Sequence, residues 1–253
     1  MDFMSNEVKL FMMFDILGDT IRTGPQLWHV SRKRLESVKD HCNDLLVIYR
    51  LLETHFPVAL DYHKVVDYIL CHDLPEAITG DITKFEGISD EKRTKVNDLA
   101  IQYLIERFQE IMDFESIFSV YENRADLEAK VVNMIDKVHS SSTFIKYQSE
   151  RNIDINNPDI PFSLRNHPFV VEKLNQGYDV ADVFFEFHLK SVCISDEECK
   201  KYHISRKEAD QFVYVIRSFL EEMYRQKKEN SLLIDRSKFP KEATRYRRRD
   251  EGM

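Results

Sequence analysis

His72 and Asp73 stand side by side at the end of an apolar run, and two further carboxylates, Glu76 and Asp81, follow closely behind them. A neutral imidazole beside a carboxylate is a ready pair of ligands for a divalent metal, one a borderline nitrogen donor and the other a hard anionic oxygen. His41 and Asp136 extend the set. Val38, Cys42, Leu45, Tyr49, Leu52 and Phe56 recur at steps of three and four, so they share one face of a predicted helix. His41 lies one turn from both Val38 and Leu45, at the margin of that face, where its ring can point inward and still reach a cavity. Asp136 falls off the stripe of Leu127, Val131, Met134, Ile135 and Val138, onto a second face with Val132 and His139. The ordered series His, His-Asp, Asp is thus spread over three predicted helices, which is how helical bundles assemble interior metal sites.

The elements that must position these groups are helical. A first helix is expected over residues 6–17, ending near Gly18. The polar stretch 19–35 follows, with Gly24, Pro25 and Trp28, and it reads as a loop with extended pieces. Its Arg22, Arg32, Lys33 and Arg34 could meet an anion. A helix over 62–72 should stop before Pro75, and Gly80 favours a turn, so Glu76 and Asp81 are expected on an irregular segment. Ser89, with Asp90 and Glu91 behind it, starts a helix reaching about Phe108. Another is expected over 124–147, and the prolines and Asn residues of 151–168 mark a loop or boundary. Ser195 with Glu198, and Ser205 with Glu208, have capping-box spacing. Ala209, Phe212, Val213, Ile216, Phe219, Leu220 and Met223 then form an apolar stripe. The expectation is an all-α fold, with a helical core over 1–150 and a helical extension over 151–253 that packs on it and ends in a basic tail, 241–253.

Composition narrows the function. With 253 residues, 43% of them apolar, and only six Gly and seven Pro, the chain can bury a large helical core. A net charge of −8 argues against nucleic acid as a partner, and Arg245, Arg247, Arg248 and Arg249 read as a solvated end. Cys42, Cys71, Cys193 and Cys199 show no CxxC pairing and read as reduced core thiols of a cytoplasmic protein. The segment from Leu10 to Phe14 is interrupted by acids nearby and reads as a core helix, neither a signal peptide nor a membrane span. Phe184, Phe185 and Phe187 offer either a homodimer face or internal core.

Three stretches carry a resemblance: Glu36-Ser37-Val38-Lys39-Asp40-His41, then His72-Asp73-Leu74-Pro75-Glu76-Ala77-Ile78-Thr79-Gly80-Asp81-Ile82, then Glu128-Ala129-Lys130 leading to Asp136. In these the chain resembles the HD-domain phosphohydrolases, most closely their 5'-deoxynucleotidase-like branch. The resemblance implies an HD-domain helical bundle in which His41, His72, Asp73 and Asp136 hold one divalent ion, whether Mn, Co, Mg, Fe or Ni. It implies that Glu76 orients or deprotonates the attacking water and that Asp81 is a second acid or base near the leaving oxygen, with the division of roles open. Arg22 matches an early arginine whose planar fork suits a phosphate. Thr23 stands where relatives often carry an aromatic residue, which leaves Trp28 as the candidate contact to base or sugar. Lys39 replaces a small polar residue and could admit a longer phosphate chain. The implied activity is hydrolysis of a small nucleotide, first a (deoxy)nucleoside 5'-monophosphate. A nucleoside triphosphate, a cyclic-nucleotide or alarmone phosphodiester, and a non-catalytic HD scaffold that binds a partner are the alternatives.

Overall fold

Side-chain caps define where the helices begin. In the computed structural model, which describes residues 3–22, 35–82, 88–148 and 167–229, Ser37 accepts a hydrogen bond from the Asp40 N–H while Asp40 accepts one from the Ser37 N–H. This reciprocal pair satisfies two amides that the first helical turn leaves free. The first helix, α1, is Phe3–Ile16, and the capped helix α2 is Val38–Leu52, followed by a 3-10 turn at Glu53–His55. Asp61 caps α3, Tyr62–Cys71, and a single helical turn, α4, covers Glu76–Thr79. Ser89 caps α5, Asp90–Phe108, and Asp113 caps α6, Phe114–Asn123. The long helix α7 is Leu127–Gln148. Then come α8, Pro168–Asn175; α9, Val180–Leu189; α10, Asp196–Lys201; and α11, Arg206–Lys228. Both predicted capping boxes, Ser195 with Glu198 and Ser205 with Glu208, are present. Apart from one isolated antiparallel bridge between Ile21 and Ser37, the described residues are helical or irregular, and the fold is all-α.

Helix α7 is the axis of the bundle. It packs against α2, α3, α6, α9 and α11. The expected stripe of Leu127, Val131, Met134, Ile135 and Val138 is buried, but so are Ala129, Val132 and His139 on its other sides. Among residues 127–143 none is exposed, and Asp136, on the second face, is half-buried toward the α2 contact. On α11 the buried residues Ala209, Phe212, Ile216, Leu220 and Tyr224 join the same core as α2, α3 and α7. Burying each of the large ones contributes about 1.5–3 kcal/mol.

Several expectations change. Glu76 does not sit on an irregular stretch: it opens α4, where the Gly80 N–H closes the turn on the Glu76 carbonyl. Gly80 adopts φ 73°, a conformation that glycine reaches without strain. The helix α6 was not expected. Of the three aromatic residues weighed as dimer face or internal core, Phe184 and Phe185 are buried and Phe187 is half-buried. Cys193 is exposed, whereas Cys42, Cys71 and Cys199 are buried, and all four are free thiols. No described helix is long and apolar enough to cross a membrane. Trp28, Arg32 to Arg34, the stretch 151–166 and the basic tail 241–253 lie outside the described residues.

Candidate metal centre

Four side chains from α2, α7 and the end of α3 meet in the interior. His41, with no exposed surface, places Nε2 at 2.9 Å from Asp136 Oδ1 and 4.0 Å from Asp73 Oδ2. His72 places Nε2 at 3.3 Å from Asp73 Oδ2 and 3.9 Å from Asp136 Oδ1. Imidazole and carboxylate therefore alternate around a ring whose four edges run from 2.9 to 4.0 Å. Donors each about 2.1 Å from one ion lie about 3.0–3.4 Å apart at right-angled or tetrahedral spacing. The ring matches that separation with small adjustments.

His72 provides the sharper test of fit. Its Nδ1 lies 2.9 Å from the Ile69 carbonyl oxygen, which can only accept, so Nδ1 carries the proton. In the neutral ring, Nε2 is then a bare lone pair. It is buried without a hydrogen-bond partner, close to Asp73 but not aligned with it. A lone pair facing two carboxylates is repelled unless a positive charge stands between them. The electrostatics say the same: burial opposes charge on His72, yet Asp73 and Asp136 outweigh it and raise its pKa to about 9. Asp73 is held below the usual carboxylate range, because His72, Arg22 and His41 overcome the effect of burial. Asp136 is lowered in the same way, against burial, by the His41 hydrogen bond and by the charges of both histidines. The pocket demands a cation, and in its donor set two imidazoles and two carboxylates fit a divalent metal. His41, His72 and Asp73 meet as one group with metal-ligand spacing.

Arg22 reaches the same place from beside the Ile21–Ser37 bridge. Its Nη1 donates to Asp73 Oδ2 at 3.1 Å, Nη2 to Ser140 Oγ at 3.2 Å, and Nε is 3.8 Å from Asp81 Oδ2. Burial alone would lower its pKa, but Asp73, Asp81, Glu76 and Asp136 raise it, so it stays charged. The backbone anchors it: the Arg22 N–H bonds the Glu36 carbonyl, and the Val38 N–H bonds that of Thr20. Glu76 is pushed well above its ordinary value by burial and by the charges of Asp73 and Asp81, and its Oε2 is buried without a partner. Beside Glu76 a cavity of about 440 Å³ opens between the end of α4 and α5, with Thr79, Ile82, Arg93 and Asn97 among its lining.

Lys39 is not brought to this cluster. Two residues from His41 is about 200° around the helix, and its ammonium pairs with Asp15 at 3.0 Å on the exposed surface. Trp28 lies outside the described residues. His139, one turn beyond Asp136, reads from the sequence as either an outer donor or polar lining, and Asp44, one turn beyond His41, was not singled out. That i,i+3 spacing from two candidate ligands was the available signal.

Comparison with known proteins follows the same lines. Residues 15–174 match the family model described as HD domain. A 5'-deoxynucleotidase of Saccharomyces cerevisiae is 32% identical over 124 residues, covering 47% of this chain and 51% of that protein. One of Schizosaccharomyces pombe is 26% identical over 177 residues, covering 67% of this chain and 87% of its own length. A human 5'-deoxynucleotidase is 25% identical over 139 residues, 53% of this chain and 67% of that protein. The chain thus spans about half the length of the S. cerevisiae relative.

Proposed function

The chain belongs to the HD-domain family, and from that membership we propose that it is a metal-dependent phosphohydrolase converting (deoxy)nucleoside 5'-monophosphates to nucleoside and phosphate. The observation that carries the proposal is the ring of two imidazoles and two carboxylates, with the unpartnered His72 Nε2 turned into it. The fungal and human relatives named 5'-deoxynucleotidases support the choice of substrate.

In this reading His41, His72, Asp73 and Asp136 hold one divalent ion. Their mixed nitrogen and oxygen donors suit Mn, Fe, Co or Ni better than Mg, which prefers oxygen. When bound, such an ion lowers the pKa of water and neutralises phosphoryl charge. Arg22 presents its fork to the phosphate oxygens. Glu76 and Asp81 divide the proton traffic: as the water oxygen joins phosphorus and the bond to the 5' oxygen breaks, one carboxylate takes a proton from the water and the other group returns one to the leaving oxygen. The cavity beside Glu76 falls in the size range of small-molecule sites and would take the nucleoside. The position of Lys39, paired with Asp15, removes one of the residues that favoured a triphosphate.

The test is turnover. Purified protein is incubated with deoxy- and ribonucleoside 5'-mono- and triphosphates and each of Mn, Co, Mg, Fe and Ni, and phosphate and tripolyphosphate release are measured. Phosphate release from monophosphates is expected. Turnover of triphosphates alone, or of no nucleotide, overturns the proposal.

A further inference from the structure

Behind the ring, on the side away from Asp136, His41 meets a second buried histidine. His41 Nδ1 and His139 Nδ1 are 3.1 Å apart, and the two rings are tilted by 34°. On its far side His139 Nε2 lies 3.3 Å from Asp44 Oδ2. His139 is 1% exposed, while the Asp44 side chain is 45% exposed and so ends the line at the surface. Asp44 belongs to α2 and His139 to α7, so the row closes across the contact between the two helices that carry the candidate ligands His41 and Asp136.

Donor and acceptor counting fixes where the protons stand. A carboxylate only accepts, so His139 Nε2 carries a proton toward Asp44. A His41 that gives Nε2 to an ion keeps its one proton on Nδ1, so the facing His139 Nδ1, 3.1 Å away, must be the acceptor. In the ion-free structure the His41 Nε2 lies 2.9 Å from Asp136 Oδ1 and donates to it, so an ion arriving there would displace the Nε2 proton and leave the one on Nδ1 in place.

We propose that Asp44 and His139 are positioning residues for the metal centre: the row Asp44–His139–His41 fixes the His41 tautomer and ring orientation so that Nε2 faces the ion. This rests on the reading of His41 as a ligand. It differs from the arrangement at His72, whose Nδ1 is held by a backbone carbonyl of its own helix. Ligating imidazoles commonly donate their other N–H to an outer partner, and losing that partner costs about 10–100-fold in affinity or activity. Here the outer partner is itself a histidine, so the setting passes through two rings before it reaches a charge.

The test is ion binding with a spectroscopic readout. Chelator competition measures the affinity of the full chain for Mn2+ and Zn2+, and thermal melts of the ion-free protein report on folding. His139→Phe should weaken binding about 10–100-fold. His139→Gln, whose amide oxygen can accept from His41 while its N–H donates to Asp44, should recover most of the loss. Asp44→Ala, at a half-exposed position, should weaken binding less than His139→Phe and serves as the variant if the phenylalanine protein does not fold. In the Zn2+-loaded wild type, 15N spectra of the imidazoles should place the His41 proton on Nδ1 and the His139 proton on Nε2. Wild type that binds an ion while His139→Phe and Asp44→Ala bind it equally well overturns the row but leaves the ligand set standing. A second ion held between the two Nδ1 atoms, together with Glu36, overturns it too, because that ion would replace the shared proton. Wild type that takes up no ion overturns both the row and the metal-dependent reading.

Discussion

The corner where α2, α3, α4 and α7 converge and the outer helix α11 are built on opposite principles. On α11 the cap of Ser205 is closed by Glu208, Arg206 pairs with Asp210, Arg225 is flanked by Glu222 and Glu229, and an apolar stripe fills the core. Sequence pattern, local hydrogen bonds and packing there all favour one outcome. At the convergence, four carboxyl groups crowd one guanidinium, a histidine is pressed toward a charge it would not carry by burial alone, and a glutamate is forced toward neutrality. Apart from Glu7 of α1, the buried side-chain polar atoms without a partner among the described residues are His72 Nε2 and Glu76 Oε2. Two of these unsatisfied groups stand where a ligand would complete them, and that asymmetry sets the candidate site apart from its scaffold.

Breaking the convergence should cost function before stability. Asp73→Asn removes a candidate ligand and the main partner of Arg22. It should lower ion affinity and turnover by more than the about 100-fold that follows loss of an outer partner alone, as read by ion titration and phosphate release. Glu76→Gln should reduce kcat about 10²–10⁴-fold, the usual contribution of a positioned acid or base. The same substitution should stabilise the ion-free protein. The folded pKa of Glu76 is raised above its ordinary 4.5, so its contribution to stability is intact below that value and is lost as pH rises through the raised one. Thermal melts should therefore show little gain in acidic buffer and a growing gain toward neutral pH. A melt unchanged across that range would mean that the corner is less strained than described.

On α11 the opposite pattern is expected. Leu220→Ala, at a fully buried position, should destabilise by about 2–5 kcal/mol in denaturant titrations and leave kcat of the remaining folded protein unchanged. Ser205→Ala should cost about 0.5–2 kcal/mol by removing the cap, again with no effect on catalysis. A fall in kcat for either, measured where the protein is fully folded, would erase the contrast between the two regions.

What could be read from the sequence follows the same division. The stripe of α11 and both capping boxes near it are local patterns, and they appear as expected. His72 and Asp73 were marked by adjacency, and His41 by its place on a regular stripe. Asp136 was harder to place, because residues 127–143 of α7 are all buried or half-buried and no exposed face betrays which way a carboxylate must turn. Lys39 was misjudged because nearness in sequence to His41 does not carry round a helix. The helix α6 went unseen: ten residues behind an aspartate cap offer little periodicity to count. The meeting of His139 with His41 depends on how α2 and α7 pack, which neither segment encodes alone.

The bridge between Ile21 and Ser37 has a consequence for how such a protein can change. It clips together the two ends of the chain segment between them, and Arg22 is held on the near side of the clip by the Glu36 carbonyl. Thr20 and Glu36 enter the clip through their carbonyl oxygens, so their side chains can change without displacing the guanidinium.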